Sequence, residues 1–165
     1  PVFNADIEVN KLYKKNFKVF KKLKKVLPKY FNKFPIEKAI VSKAILAKNQ
    51  NLGKIIEIIH YEIKKKLRIF LKKNKTKKIV ILDIPLLLEN KINKKDDILI
   101  FVQSKKSLVN KNLKKRTNFN KELFKKFKQI QLPLDYKKKK SNFIIKNNFT
   151  KKSVILGIKK ILKNL

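Results

Sequence analysis

The chain has 165 residues, a length that fits one domain or one domain with a small insertion. Lysine and arginine number 46 against 11 aspartates and glutamates, a formal charge of +35, while 43% of residues are hydrophobic, enough for a core. Lysines recur through residues 1–30, no apolar run approaches about eighteen residues, and cysteine is absent. These features argue against a secretory leader, a spanning helix, disulfides and thiolate metal sites, and a cytoplasmic protein is expected.

The charge invites a nucleic-acid reading. Only Arg68 and Arg116 are arginine, however, and phosphate and base recognition favours the arginine fork. Lysine, asparagine and isoleucine are abundant everywhere, as in a protein from an AT-rich coding sequence. The lysines alternate with apolar residues on helix faces, their usual solvated position. No specific nucleic-acid partner is expected, although the charge favours phosphorylated ligands.

In chain order, Pro1 to Asp6 is a short extended piece ending in a carboxylate, with Asp6 a candidate helix cap. A helix-period segment runs from Ile7 to Val26. Pro28 and Pro35 bracket a break, and Ile36-Glu37-Lys38 opens a helix through Ala47. Residues 49–53 read as a turn. The longest helix follows, Leu52 to Lys73, with Leu52, Ile55, Ile56, Ile59, Ile63, Leu67 and Phe70 on one face. His60 lies in it, where a lone histidine is more often packed than catalytic. After the polar linker Lys72–Lys78, Ile79–Leu82 has the pattern of a strand buried on both faces. Asp83 stands at its C-terminal end, where parallel sheets bind ligands. Ile98–Val102 is a second such strand. Gln103–Arg116 and Lys121–Gln131 are helical, Lys137–Lys140 is a solvated run, Ser141–Asn147 holds the last strand, and Thr150–Leu162 closes as a helix showing Val154, Ile158, Ile161 and Leu162 on one face. Strands separated by helices predict a parallel α/β sheet. The strands should lie near Val2–Asn4, Ile79–Asp83, Ile98–Val102 and Phe143–Ile145, with helices on both faces.

Several segments, in order, resemble the dephospho-coenzyme A kinase family. Asp83-Ile84-Pro85-Leu86-Leu87-Leu88-Glu89-Asn90 is similar to its Pro-Leu-Leu-Phe-Glu segment. Asn4-Ala5-Asp6 is similar to its Asp-Ala-Asp, with asparagine for the first aspartate. Ile36-Glu37-Lys38 resembles Ile-Asp-Arg, and Ile56-Glu57-Ile58-Ile59-His60 resembles a stretch ending in His-Pro, with Tyr61 for the proline and Lys64 for a following arginine. Arg116 matches the last arginine of Gln-x-x-Arg-x-x-x-Arg, although Val109 and Asn112 stand at other positions of that region. Gln131-Leu132-Pro133 and Phe143-Ile144-Ile145-Lys146-Asn147 also have counterparts.

The resemblance implies a P-loop NTPase-type three-layer α/β/α fold with a parallel sheet, a core of residues 1–103 and 141–165, and a helical lid near 104–140. It implies transfer of a phosphoryl group from ATP, with magnesium, to the 3′-hydroxyl of dephospho-CoA. Asp6 would serve as base and Arg116 would offset charge. His60, Lys64, Pro85, Leu86 and Glu89 would bind substrate. Asp83 would hold magnesium through water, and Asp83 and Asn147 would line the nucleotide site. Asp6 and Asp83 should end neighbouring strands and face one crevice. The alternatives are another P-loop nucleoside or nucleotide kinase, and a non-catalytic basic nucleic-acid-binding protein.

The family also requires Gly-x-x-x-x-Gly-Lys-Ser/Thr, whose amides and lysine cradle phosphates. Gly53 and Gly157 lie in no such pattern, and the chain has no methionine. The family places that loop, and the central strand before it, ahead of the Asp-Ala-Asp strand. The expectation is an N-terminally truncated sequence that alone neither folds stably nor binds Mg-ATP, the rival being a paralogue without ATP binding.

Overall fold

A computed structural model describes residues 1–117 and 119–164. The chain divides into two compact units, Pro1–Pro85 and Leu86–Leu165.

The first unit runs β1 (Val2–Asn4), α1 (Ala5–Lys15), α2 (Phe17–Val26), α3 (Lys38–Ala47), α4 (Asn49–Lys73) and β2 (Ile81–Asp83). The strands pair in parallel, Val2 opposite Ile81, Phe3 opposite Leu82 and Asn4 opposite Asp83. Helices α1, α2 and α3 each pack against α4. Leu12, Val19, Leu23 and Phe31 are fully buried among them. The α4 stripe is buried at Leu52, Ile55, Ile59, Ile63 and Leu67, as its period predicts.

Three readings need correction here. The segment Ile7–Val26 is two helices, because Asn16 ends one and starts the next. Its backbone N–H donates to Leu12 O, and its side chain accepts from Val19 N. Residues 49–53 are not a turn but the first turns of α4. Asn51 is buried there and its Nδ2 donates to Ala44 O at 2.8 Å, docking the start of α4 on the end of α3. Finally, Ile79–Leu82 is not a strand buried on both faces. The strand begins at Ile81 and, among the described residues, pairs with β1 alone. Phe3 lies on the packed face, with its ring 5.4 Å from Phe70 of α4. On the other face Val2 is 58% and Ile81 55% exposed.

The second unit runs β3 (Ile100–Gln103), α5 (Lys106–Lys114), α6 (Lys121–Gln129), α7 (Leu134–Lys140), β4 (Phe143–Lys146) and α8 (Lys151–Leu162). Strands β3 and β4 are also parallel, Ile100 opposite Phe143 and Val102 opposite Ile145. All four strands therefore fall near their expected places and pair in parallel, within two two-stranded sheets. Lys137–Lys140 ends α7, with Lys138, Lys139 and Lys140 exposed as read and Lys137 half-buried. The apolar face predicted for the last helix is largely exposed: of its four residues only Ile161 is buried. Among the described residues of this unit the buried apolar side chains are Ile145 and Ile161, whereas the first unit has eighteen.

The two glycines occupy opposite environments. Gly53 in α4 has open space where a Cβ would point, whereas a Cβ at Gly157 in α8 would lie 2.9 Å from Ile145 Cγ2. Alanine at Gly53 should stabilise by roughly 0.5–1 kcal/mol, since glycine loses more backbone freedom on entering a helix. At Gly157 the same gain is opposed by overpacking, which typically costs about 1–3 kcal/mol, because the branched Ile145 side chain cannot swing aside. Denaturant midpoints should rise for Gly53→Ala and fall for Gly157→Ala; a rise in both would contradict the close packing of α8 on β4.

Candidate active site

The parallel register brings the C-terminal ends of β1 and β2 together, so Asn4 faces Asp83. Asn4 Nδ2 donates to Asp83 Oδ2 at 2.7 Å, and Asn4 Oδ1 accepts from Ile7 N at 2.9 Å. The second bond makes Asn4 the cap of α1, its backbone still extended at φ −103 and ψ 111. Asp6 is therefore not the cap, as the sequence suggested. A cap accepts from the N–H two or three residues on, and Asn4 already fills that place. Asp6 lies exposed in the first turn of α1, where the helix dipole favours a negative charge.

Two residues further on, Glu8 is bound by Lys11 at 2.6 Å and by Lys66 of α4 at 2.9 Å. The hydrogen bond from Lys11 holds its carboxyl below the usual range. Burial opposes that shift, and Lys66 reinforces it. The start of α1 is thereby tied to α4. His60 and Lys64 lie one turn apart on α4, His60 half-buried and Lys64 exposed. Burial, and then the like charge of Lys64, push the His60 imidazole below its ordinary value.

Pro85 follows β2 and is exposed. In the second unit, Leu86 has a left-handed backbone (φ 56), and its carbonyl accepts from both the N–H and Nδ2 of Asn90. Glu89 Oε1 receives the Lys137 ammonium and the Leu132 N–H, the latter at 3.0 Å. Burial raises its pKa, but the bonds from Lys137 and the backbone outweigh burial and leave it lowered. A cleft of about 380 Å³ adjoins it, with Leu88, Leu99, Leu132, Lys91 and Lys140 among its lining. Arg116 lies exposed just beyond α5. Asn147 follows β4; its N–H donates to Gln103 O at 2.7 Å and its Oδ1 accepts from Phe149 N at 2.7 Å. Among the described residues no three His, Cys, Asp or Glu side chains converge as a metal cage, and no helix is long and apolar enough to cross a membrane.

Sequence reasoning passed over Asn4 and Lys137. Asn4 carried a signal, since asparagine directly before a helix is a favoured cap. Lys137 carried none, one lysine in a run of four.

Residues 1–152 match the dephospho-CoA kinase family. The chain belongs to that family. It is 31% identical to a dephospho-CoA kinase of Wolbachia pipientis wMel over 166 residues, covering 99% of this chain and 85% of the relative. A dephospho-CoA kinase of Bartonella quintana is 29% identical over 99% of this chain and 86% of its own. Among solved structures, TT1252 from Thermus thermophilus superposes with a TM-score of 0.74 at 17% identity, covering all of this chain and 84% of that one. That likeness shows a shared fold and accords with the parallel α/β class read from the sequence.

In this family member the shift at His60 has a definite sign. Its folded pKa lies below the unfolded value, so this group costs no stability above about pH 6.5, and a cost grows as pH falls from there through the lower folded pKa. In an NMR titration the His60 ring protons should show a midpoint below 6.5. Lys64→Ala should move the midpoint upward only in part, because burial is the larger cause. A wild-type midpoint at or above that of a free histidine would overturn the assignment.

Proposed function

We propose that the protein transfers the γ-phosphoryl group of ATP to the 3′-hydroxyl of dephospho-CoA, the last step of coenzyme A synthesis, in the cytoplasm. The observation that carries this reading is the family match over residues 1–152; beside it, β1 ends at Asn4 next to Asp83 of β2, and Asp6 follows in the first turn of α1 rather than at a strand end. In the step, the 3′-oxygen forms a bond to the γ-phosphorus as the bond to the bridging oxygen breaks. ADP leaves with that electron pair, and the hydroxyl proton passes to Asp6.

The residues at the strand ends suit magnesium, which typically takes one or two carboxylates and keeps several waters. Asp83 is exposed and offers one carboxylate, with Oδ2 turned to Asn4. When bound there, magnesium supplies charge compensation at the phosphates. Arg116, with lysines of a lid near residues 104–140, offsets charge on the group in transit, and Asn147 contributes to the nucleotide site. On the acceptor side His60, Lys64, Pro85 and Leu86 bind dephospho-CoA. Glu89 takes part there chiefly through Leu132 and Lys137, since those groups already occupy Oε1. In this reading residues 1–165 form one domain, with a core of 1–103 and 141–165.

The test follows labelled phosphate from ATP to dephospho-CoA, adenosine and thymidine. It uses residues 1–165 alone and residues 1–165 joined at Pro1 to a segment carrying Gly-x-x-x-x-Gly-Lys-Ser/Thr. Transfer should favour dephospho-CoA in the loop-bearing form. Asp6→Asn should lower kcat by about 100- to 10,000-fold, the range for loss of a general base, with the KM for ATP little changed. Efficient transfer to adenosine or thymidine, with none to dephospho-CoA, would make it another nucleoside kinase.

A further inference from the structure

The Asn4 carboxamide makes two contacts, one within α1 and one across to β2. Its oxygen receives the Ile7 N–H and so caps α1 from a position two residues before Asp6. Its nitrogen donates to Asp83 Oδ2 across the parallel register. One planar group thus sets the start of the helix bearing Asp6 and the orientation of the Asp83 carboxylate. An amide does both at this separation, its oxygen accepting while its nitrogen donates. An aspartate at position 4 would keep the cap but set two carboxylates against each other. A serine would cap but is too short to span the pair.

We propose that Asn4 is a positioning residue for this kinase. It pins Asp83 with a neutral donor, so the strand ends present magnesium with a single, pre-oriented carboxylate, and it places that carboxylate and Asp6 in one frame. The proposal rests on the reading of Asp83 as the metal-side acid. It assigns no contact between Asn4 and substrate.

The variants are Asn4→Asp, Asp83→Asn and the double exchange of the two, each in the form that transfers phosphate. Thermal melts are recorded in metal-stripped buffer and through a magnesium titration, and turnover is measured beside them. Asn4→Asp keeps the cap acceptor and loses the donor. It should melt below wild type without metal and recover as magnesium is added. Its apparent magnesium affinity should be about tenfold tighter than wild type, as a second unit charge a few ångströms away requires. Asp83→Asn keeps an acceptor for Asn4, so its melt should stay near wild type while kcat falls. The double exchange restores one amide and one carboxylate with the roles reversed. It should recover the metal-free melt but not turnover, because the carboxylate now stands on β1.

Should Asn4→Asp melt like wild type and respond to magnesium as wild type does, while Asp83→Asn is inactive, the positioning role is wrong and the Asp83 reading stands. Should Asp83→Asn turn over normally, the metal reading fails and the proposal fails with it.

Discussion

The parallel register of β1 with β2 is the constraint on which the first unit depends. Parallel neighbours cannot be joined by a tight turn; the chain must leave one strand's end and return to the other's beginning. Residues 5–80 make that return as α1 to α4. The strands are three residues each while α4 has 25, roughly 37 Å at 1.5 Å per residue, so the helices bury most of their apolar surface on one another. The sheet contributes mainly direction. Had the strands paired antiparallel, the two C-terminal ends would lie at opposite edges. Because they run together, Asn4 and Asp83 meet, and α1 starts beside the carboxylate.

What holds the helices is apolar burial, with charge as a local adjustment. At +35 the chain repels itself, and its ion pairs do little to compensate, since exposed pairs contribute about 0–1 kcal/mol each. Their placement still matters. Glu8 with Lys66 joins α1 to α4, and Lys22 with Glu62 joins α2 to α4 at 2.9 Å. Asparagine is equally well placed: Asn4, Asn16 and Asn120 each cap a helix through the side-chain oxygen. In the second unit burial is thin, so opening there should cost less than opening the first.

The sequence disclosed the fold where its signal was periodic or positional. The α4 stripe, the four strand sites and their parallel sense followed from spacing and from alternation of strand with helix. It misled where a side-chain bond decides a boundary. Asn16 splits a continuous helix pattern, and Asn51 turns a loop-like run into a helix start by bonding Ala44, neither of which hydrophobic period can reveal. The exposed face of β2 was misread because an apolar run reports which side chains are available for burial, not whether anything covers them. The family resemblance proposed Asp6, His60 and Asp83 as site residues. The pairing of Asn4 with Asp83 spans 79 positions and depends on register, which residue order alone does not give.

Lysine is everywhere in this chain, so the partner chosen by each carboxylate carries information. Glu8, Glu62 and Glu89 each take a lysine, which offsets their charge. Asp83 takes the amide of Asn4. An ammonium there would cancel most of the field at the strand ends and weaken any pull on a cation. An amide fixes the carboxylate in place and leaves its full negative charge standing. Orientation without neutralisation is the combination that a carboxylate needs when it must hold still for a metal and still attract one. In so basic a chain, an amide partner at the end of β2 separates Asp83 from Glu8 and Glu62, whose lysines join α1 and α2 to α4.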